Sequence, residues 1–482
     1  MPVTQLPITN GFYVSNSLPI SAQECTNWYV VVEGAPSLAA ETLRGTPGIE
    51  LVQTSGTILQ ANRGAHTMAG LPYFVNGAKL YRLDQTAVTP VEVYDLVDLG
   101  TISGTARVSM ADNGTQLMTL VPGGNGYIYN HVTDTLVQIT DPDFTANGDP
   151  QFVVFVDGYF VVSTNTKKFI ISAINDGTSW NALDYGTAES DPDVIVAPIV
   201  FKNQLFMAGS QTFEAFQNVG GTDFSFQRTG LFLDKGVYAP YSLINTQDTF
   251  MWVGGGLNES PSIWAFAGNS TQKISTVAID FILKSLTNDQ LAAIYSWVYS
   301  QNGSYFVAFA LPNSTLVYDH ASKRWHERKS YYDNEIFGYR VSGMTQAYNH
   351  VFCGDQVDGR IGKLNPDLFT EYTNNIIRVA ATQPFQNNMQ SIFVPSIELT
   401  IESGVGNEAV TNPVIAMDRS VDGKTWSDQR TREMGKIGEY NRRAIWRRNG
   451  RASRFEVFRF TLSDAVKPVI IQLTADIVSG TK

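Results

Sequence analysis

Five histidines, two cysteines and 45 acidic residues are the side chains from which this 482-residue chain would have to build a catalytic or metal centre. His66, His131, His320, His326 and His350 are scattered. Only His320 and His326 lie near one another, and they have neither the i,i+4 spacing nor a neighbouring cysteine that a metal ion needs. Cys25 and Cys353 each stand alone, which excludes a disulfide framework and fits a reducing compartment. Gly254-Gly255-Gly256 lacks the following Lys and Ser/Thr of a phosphate-binding loop and reads as a flexible connection. A Gly-x-Ser-x-Gly nucleophile elbow does not occur. The acid pairs Asp141 with Asp143 and Asp191 with Asp193 flank prolines, where a solvated turn is the simplest reading, and a carboxylate pair is catalytic only at a defined separation. No catalytic, cofactor-binding or metal residue is assigned.

One motif points toward carbohydrate. Ser420-Val421-Asp422-Gly423-Lys424-Thr425-Trp426 is similar to the Asp-box of sialidases, in which a Trp pins an Asp-Gly turn, but it is one residue short and occurs once. Asn175-Asp176-Gly177-Thr178-Ser179-Trp180 is a looser relative. Such a box stabilises a hairpin rather than performing chemistry. It keeps open a carbohydrate-binding or glycoside-hydrolysing propeller as the alternative reading.

The charged residues are unevenly placed. The net charge is -11, yet the stretch from Arg419 to Arg459 holds twelve Lys and Arg against five Asp and Glu, a local +7 on a remainder of -18. Arg442, Arg443, Arg447, Arg448, Arg451 and Arg454 are the candidate interface residues in this basic corner. They suit nucleic acid or an acidic protein partner, and equally cross-strand ion pairs on solvated strand faces.

The elements that position these residues repeat. Tight-turn pairs fall at Ala69-Gly70, Asn113-Gly114, Asp157-Gly158, Lys202-Asn203, Gln247-Asp248, Asn302-Gly303 and Tyr348-Asn349, stepping by 44, 44, 45, 45, 55 and 46 residues. Apolar runs rich in Val, Ile, Phe and Tyr flank each turn, the pattern of hairpins. A strand-built period in the forties predicts the blades of a seven-bladed β-propeller, which hides its sheet edges by radial closure.

Residues 1–60, broken by Pro and Gly, read as an arm packing on the propeller or on a neighbour; 61–374 are the propeller. Residues 375–482, with longer alternating strands, are expected to form a β-sandwich carrying the basic patch. The long step of 55 coincides with the sole helical pattern, about 275–292, where Thr287 and Gln290 form a capping box. No run approaches the length of a membrane span, and the start lacks the regions of a signal peptide.

Several stretches, in this order, resemble the packaged-DNA stabilisation proteins, or tail hub proteins, of short-tailed bacteriophages. They are Met1-Pro2-Val3-Thr4-Gln5-Leu6-Pro7, Arg44-Gly45-Thr46-Pro47-Gly48-Ile49, Gly77-Ala78-Lys79-Leu80-Tyr81, Arg107-Val108-Ser109-Met110-Ala111, Ala188-Glu189-Ser190-Asp191-Pro192-Asp193 and the insertion Ile274 to Leu291. The most specific is the basic stretch Arg443-Ala444-Ile445-Trp446-Arg447-Arg448-Asn449-Gly450-Arg451-Ala452-Ser453-Arg454. The resemblance implies a structural virion protein without enzymatic activity or cofactor. It also implies a homo-oligomeric ring, a hexamer, below the portal and its adaptor ring, closing the channel and docking a tail needle or plug and receptor-binding spikes or fibres. Genome DNA would pass the channel without sequence-specific binding, and an acidic lining would let it slide. On this resemblance the protein is made in a bacterial cytoplasm and resides in the virion tail.

Overall fold

The computed structural model describes residues 3–34, 36–56, 60–89, 91–188, 193–221, 224–387 and 390–480. Seven sheets follow one another along the chain. Their inner strands, Asn62–Met68, Ser109–Asp112, Pro150–Val156, Ile195–Phe201, Ile244–Asn245, Tyr295–Gln301 and Val341–Ala347, touch in that order, and the last touches the first. We number the blades 1 to 7 from these strands. The second strands are near-continuous apolar runs, such as Tyr159–Thr164 in blade 3, because blades cover both of their faces. Aromatic side chains fill the seams between blades: Phe206 of blade 4 lies 5.2 Å from Phe250 of blade 5, which stacks on Phe266 at 4.8 Å. Burying each such ring is worth roughly 2–3 kcal/mol.

The repeated turns have the expected geometry at five of the seven positions. In Ala69-Gly70, Asp157-Gly158, Lys202-Asn203, Asn302-Gly303 and Tyr348-Asn349 both residues have positive φ, the requirement of the tightest hairpin turn. At Asn113-Gly114 only the glycine does, and the Asn113 carboxamide oxygen accepts from the N–H groups of Thr115 and Gln116. Gln247-Asp248 sits in a longer loop closed by Thr246 and Thr249.

The opening residues, which read as an irregular arm, contribute strands to several sheets. Gly48–Thr54 pairs antiparallel with Arg360–Asn365, Ile49 opposite Leu364, and supplies the outer strand of blade 7. The chain thus closes its own propeller. Val3–Leu6, Trp28–Val32 and Glu41–Gly45 join Ile392–Ile401, Ala444–Arg447, Arg451–Ala452 and Val469–Ser479 in one sheet of the C-terminal sandwich.

The other sandwich sheet is continuous with blade 6. From Tyr295–Gln301 at the pore the order runs Ser304–Ala310, Thr315–Asp319, Trp325–Tyr332, Cys25–Thr26, Arg378–Ala381, Val457–Leu462, Val414–Ser420 and finally Arg430–Glu433. Propeller and sandwich therefore share a sheet, with Cys25–Thr26 bridging them. Between the sandwich sheets lie Ile397, Trp446, Phe460 and Leu473, all buried as period-2 alternation requires.

The long step holds two helices, Val277–Lys284 and Asn288–Ala292. The Thr287 hydroxyl accepts from the Gln290 N–H while the Gln290 side chain accepts from the Thr287 N–H, the reciprocal capping box. Ile279 and Leu283 are buried in a core shared by blades 5 and 6, the N-terminal segment and the sandwich, whereas Val277 and Phe281 are exposed. Among the described residues no helix is long and apolar enough to cross a membrane.

Candidate functional site

The basic corner is built on the free edge of the first sandwich sheet. Ala444–Arg447 pairs on one side with Ile392–Ile401, Trp446 opposite Ile397. Buried Trp446 anchors it, lying 5.5 Å from Phe460 and donating its indole N–H to the Arg430 carbonyl at 2.6 Å. On the unpaired side, arginines replace a neighbouring strand. Arg432 Nε donates to the Ile445 carbonyl at 2.6 Å, and Arg430 Nη1 donates to the Arg447 carbonyl at 2.9 Å. An open strand edge invites pairing with other chains, and these two guanidinium groups block it.

The six candidate arginines separate into two groups. Arg442 is ion-paired with Glu433, and Arg443 grips Glu398 in a two-point contact at 2.7 and 2.5 Å that holds the Glu398 carboxyl below its ordinary range. Both are ion pairs within the chain, reaching from the turn before Ala444–Arg447 to the strands Arg430–Glu433 and Ile392–Ile401. Arg447, Arg448, Arg451 and Arg454 are exposed and form no ion pair among the described residues. Arg451 lies 5.8 Å from the Phe393 ring, and Arg448 occupies the turn with φ 60°. Arg419 and Arg459, counted in the same stretch, are held by Glu456 at 2.6 Å and Asp418 at 2.6 Å. The free charge of the corner is thus much smaller than its composition.

The Asp-box-like turns are hairpin pins. Asp422 accepts from the N–H groups of Lys424 and Thr425 and from the Thr425 hydroxyl, which together hold its carboxyl far below the usual range. Trp426 is covered by Arg459 at 3.9 Å. In the second, Asp176 accepts from the Thr178 N–H and hydroxyl, and Trp180 donates to the Gly177 carbonyl at 2.9 Å. Asp141 accepts from the Trp180 N–H at 2.8 Å, so its carboxylate also caps a strand. The second acid pair, Asp191 with Asp193, lies partly outside the described residues, as do Met1-Pro2 and Glu189 to Pro192 of the quoted stretches.

Composition does not disclose two further features. Five inner strands line a cavity of about 590 Å³ at the propeller axis, containing His66 and Asp112 paired at 2.6 Å. One mouth of this pore is obstructed. Arg107 lies 3.7 Å from the Tyr295 ring and donates to the Ser342 hydroxyl at 2.9 Å, Tyr241 donates to the Arg107 carbonyl at 2.5 Å, and Phe152 packs edge-on against Tyr241 at 5.0 Å. The second feature is a cluster of buried charges where blades 6 and 7 meet the N-terminal segment. Arg340 Nε lies 2.5 Å from Asp355, and Arg328 lies 3.7 Å from Glu371 and 3.9 Å from the Tyr339 ring. Burial raises the Asp355 and Glu371 carboxyls above their ordinary values, a common mark of catalysis. Here all four side chains are at most 2% exposed, so no substrate reaches them, and their role is architectural.

Two family models match the chain end to end: the β-propeller of bacteriophage P22 Gp10 over residues 4–369 and the β-sandwich of the same protein over 377–478. The chain belongs to the P22 Gp10 family. A curated relative, the tail hub protein gp10 of Salmonella phage P22, is 22% identical over 95% of this chain and 96% of its own length. Among solved structures, the WD40 propeller domain of Doa1 matches 66% of this chain and 97% of its own at 10% identity and a TM-score of 0.41. PorZ of Porphyromonas gingivalis matches 79% and 46% at 10% identity and a TM-score of 0.39. As a Gp10-family member the chain is a structural protein and not an enzyme, and its turn aspartates are scaffold.

Proposed function

We propose that this phage tail structural protein is the hub that closes the portal channel after packaging and docks a tail needle or plug and receptor-binding spikes. The observation that carries the reading is the match of both domains, in one order, to a family in which a relative, covered over 96% of its own length, is a tail hub. In the virion it forms a ring of six beneath the portal and its adaptor.

The architecture supports this. A hub must hold several partners at fixed angles, and here propeller and sandwich are joined by a shared sheet rather than a linker. The obstruction by Arg107, Tyr241 and Tyr295 argues that DNA runs through a channel formed between copies and not through the propeller's own pore. Reconstruction of the virion by electron microscopy tests the proposal. Sixfold density below the portal that accommodates one propeller and one sandwich per repeat is expected, and a tail without such density overturns it.

A further inference from the structure

Opposite charges collect at opposite ends of this molecule. Between Val108 and Phe201 there are eleven acidic residues and only two basic ones, Lys167 and Lys168, a net -9 that is half of the -18 carried outside the basic corner. This stretch makes blades 2 and 3 and the inner strand of blade 4. Its connecting loop lies along the outer strand of blade 3, Asp176–Thr187. Phe144 packs 4.9 Å from Trp180, the Asn147 amide donates to the Ala182 carbonyl at 2.9 Å, and Asp141 caps the Trp180 N–H. Asp141, Asp143, Asp149 and Asp184 therefore share one rim. Where they are hydrogen-bonded, as Asp141 and Asp149 are, the partners are backbone N–H groups and the Asn165 amide, and none forms an ion pair among the described residues.

The fold sets this rim across the pore from the basic corner. In a ring of seven, blades 2 and 3 are the two farthest from blade 6, and the sandwich extends blade 6 outward. The strand Arg430–Glu433 ends that extension, eight strand spacings from the pore, or about 40 Å at the usual distance between strands. Its Arg430 contacts the segment that bears Arg447, Arg448, Arg451 and Arg454.

We infer that copies of this chain meet head to tail, the free arginines of one sandwich seating on the aspartate rim of blades 2 and 3 of the next copy. One copy cannot bring its own two ends together. A two-fold contact through either patch would set like charges facing, whereas a head-to-tail contact pairs opposite charges and is the kind of contact that builds a ring when its rotation closes. Complementary charge of this kind fixes which surfaces meet and weakens with salt. The inference rests on the ring proposed above and names its interface.

A charge swap tests it in a phage whose copy of this gene is deleted and supplied in trans. One variant carries Arg447→Glu, Arg448→Glu, Arg451→Glu and Arg454→Glu; the other carries Asp143→Lys, Asp149→Lys and Asp184→Lys. Thermal unfolding of each purified chain near the wild-type midpoint establishes that both fold. Either variant alone is expected to reduce titre to the level of no supplied gene, and both together to restore it, since alternating copies regain every contact. Infectivity with either variant alone, or none with both, overturns the inference. So does an arginine variant that still enters tails but no longer retards duplex DNA in a gel, which would assign the corner to nucleic acid. Wild-type particles that lack this chain in the tail would instead overturn the hub reading.

Discussion

Asn27 and Lys329 exchange two hydrogen bonds: the Asn27 amide donates to the Lys329 carbonyl at 2.9 Å, and its carbonyl oxygen accepts from the Lys329 N–H at 3.1 Å. The same amide donates to the Ile377 carbonyl at 2.7 Å. One side chain thus ties the outer strand of blade 6 to the segment that begins the sandwich, and it does so with φ 57°. Asn27→Ala removes three hydrogen bonds and strains the backbone, an expected loss of about 3–5 kcal/mol. Asn27→Gly loses the bonds without the strain, so its midpoint in urea is expected to fall between wild type and the alanine variant. Equal midpoints for wild type and both variants would show that the clasp does not couple the two parts.

The buried arginines are expected to differ sharply. Arg340 neutralises Asp355, so Arg340→Met leaves a buried carboxylate unpaired and is expected to cost roughly 3–5 kcal/mol. Arg378 is held down to about 9 by burial and by the Arg328 charge, and its bonds to the Ile376 and Thr46 carbonyls are long, 3.4 Å each. Because a base whose folded value is lowered is disfavoured while charged, Arg378 destabilises the fold below pH 9 and less above it. Arg378→Met is therefore expected to unfold at the same or a higher temperature at pH 7, by calorimetry, with Glu371 still faced by Arg328.

Much of this was legible from residue order. The turns were visible because Asn and Gly tolerate positive φ, and Lys202 and Tyr348 could be placed in the same turn only through the period. Most strands at 1–60 were not: Cys25–Thr26 and Glu41–Gly45 take partners, Arg378–Ala381 and Val469–Ser479, that lie hundreds of residues away, and alternation over two to seven residues carries no register. Counting charges located the basic corner but could not distinguish Arg430 and Arg432, which serve backbone carbonyls, from Arg447 and Arg448, whose side chains form no ion pair among the described residues. The Arg107 obstruction left no pattern, since its partners Tyr241, Tyr295 and Ser342 come from three other blades.

Glu92 makes the seam between blades 1 and 7 sensitive to acid. It accepts from Lys363 at 2.6 Å and from His350 at 2.7 Å, and these bonds hold its carboxyl down to about 2 against an ordinary 4.5. A carboxyl lowered by folding contributes stability that is complete above 4.5 and disappears as the pH falls toward 2. Glu92→Gln is expected to lower the unfolding temperature at pH 7 and to show a shallower decline between pH 4.5 and 2 than wild type. Parallel curves across that window would exclude the contribution.

The last expectation separates the two kinds of arginine in the basic corner. Arg430 and Arg432 close the open edge of Ala444–Arg447, and an uncovered edge pairs with strands of other chains. Arg430→Ala with Arg432→Ala should therefore increase association in a disordered way, seen as growing light scattering at constant temperature that added salt does not suppress. Reversing Arg447, Arg448, Arg451 and Arg454 should do the opposite and leave the chain more soluble as single copies, because among the described residues no carbonyl or carboxylate depends on their side chains. If the double alanine variant scattered no more light than wild type, the edge would be protected by something other than these two guanidinium groups, and the corner would have to be treated as a single charged surface.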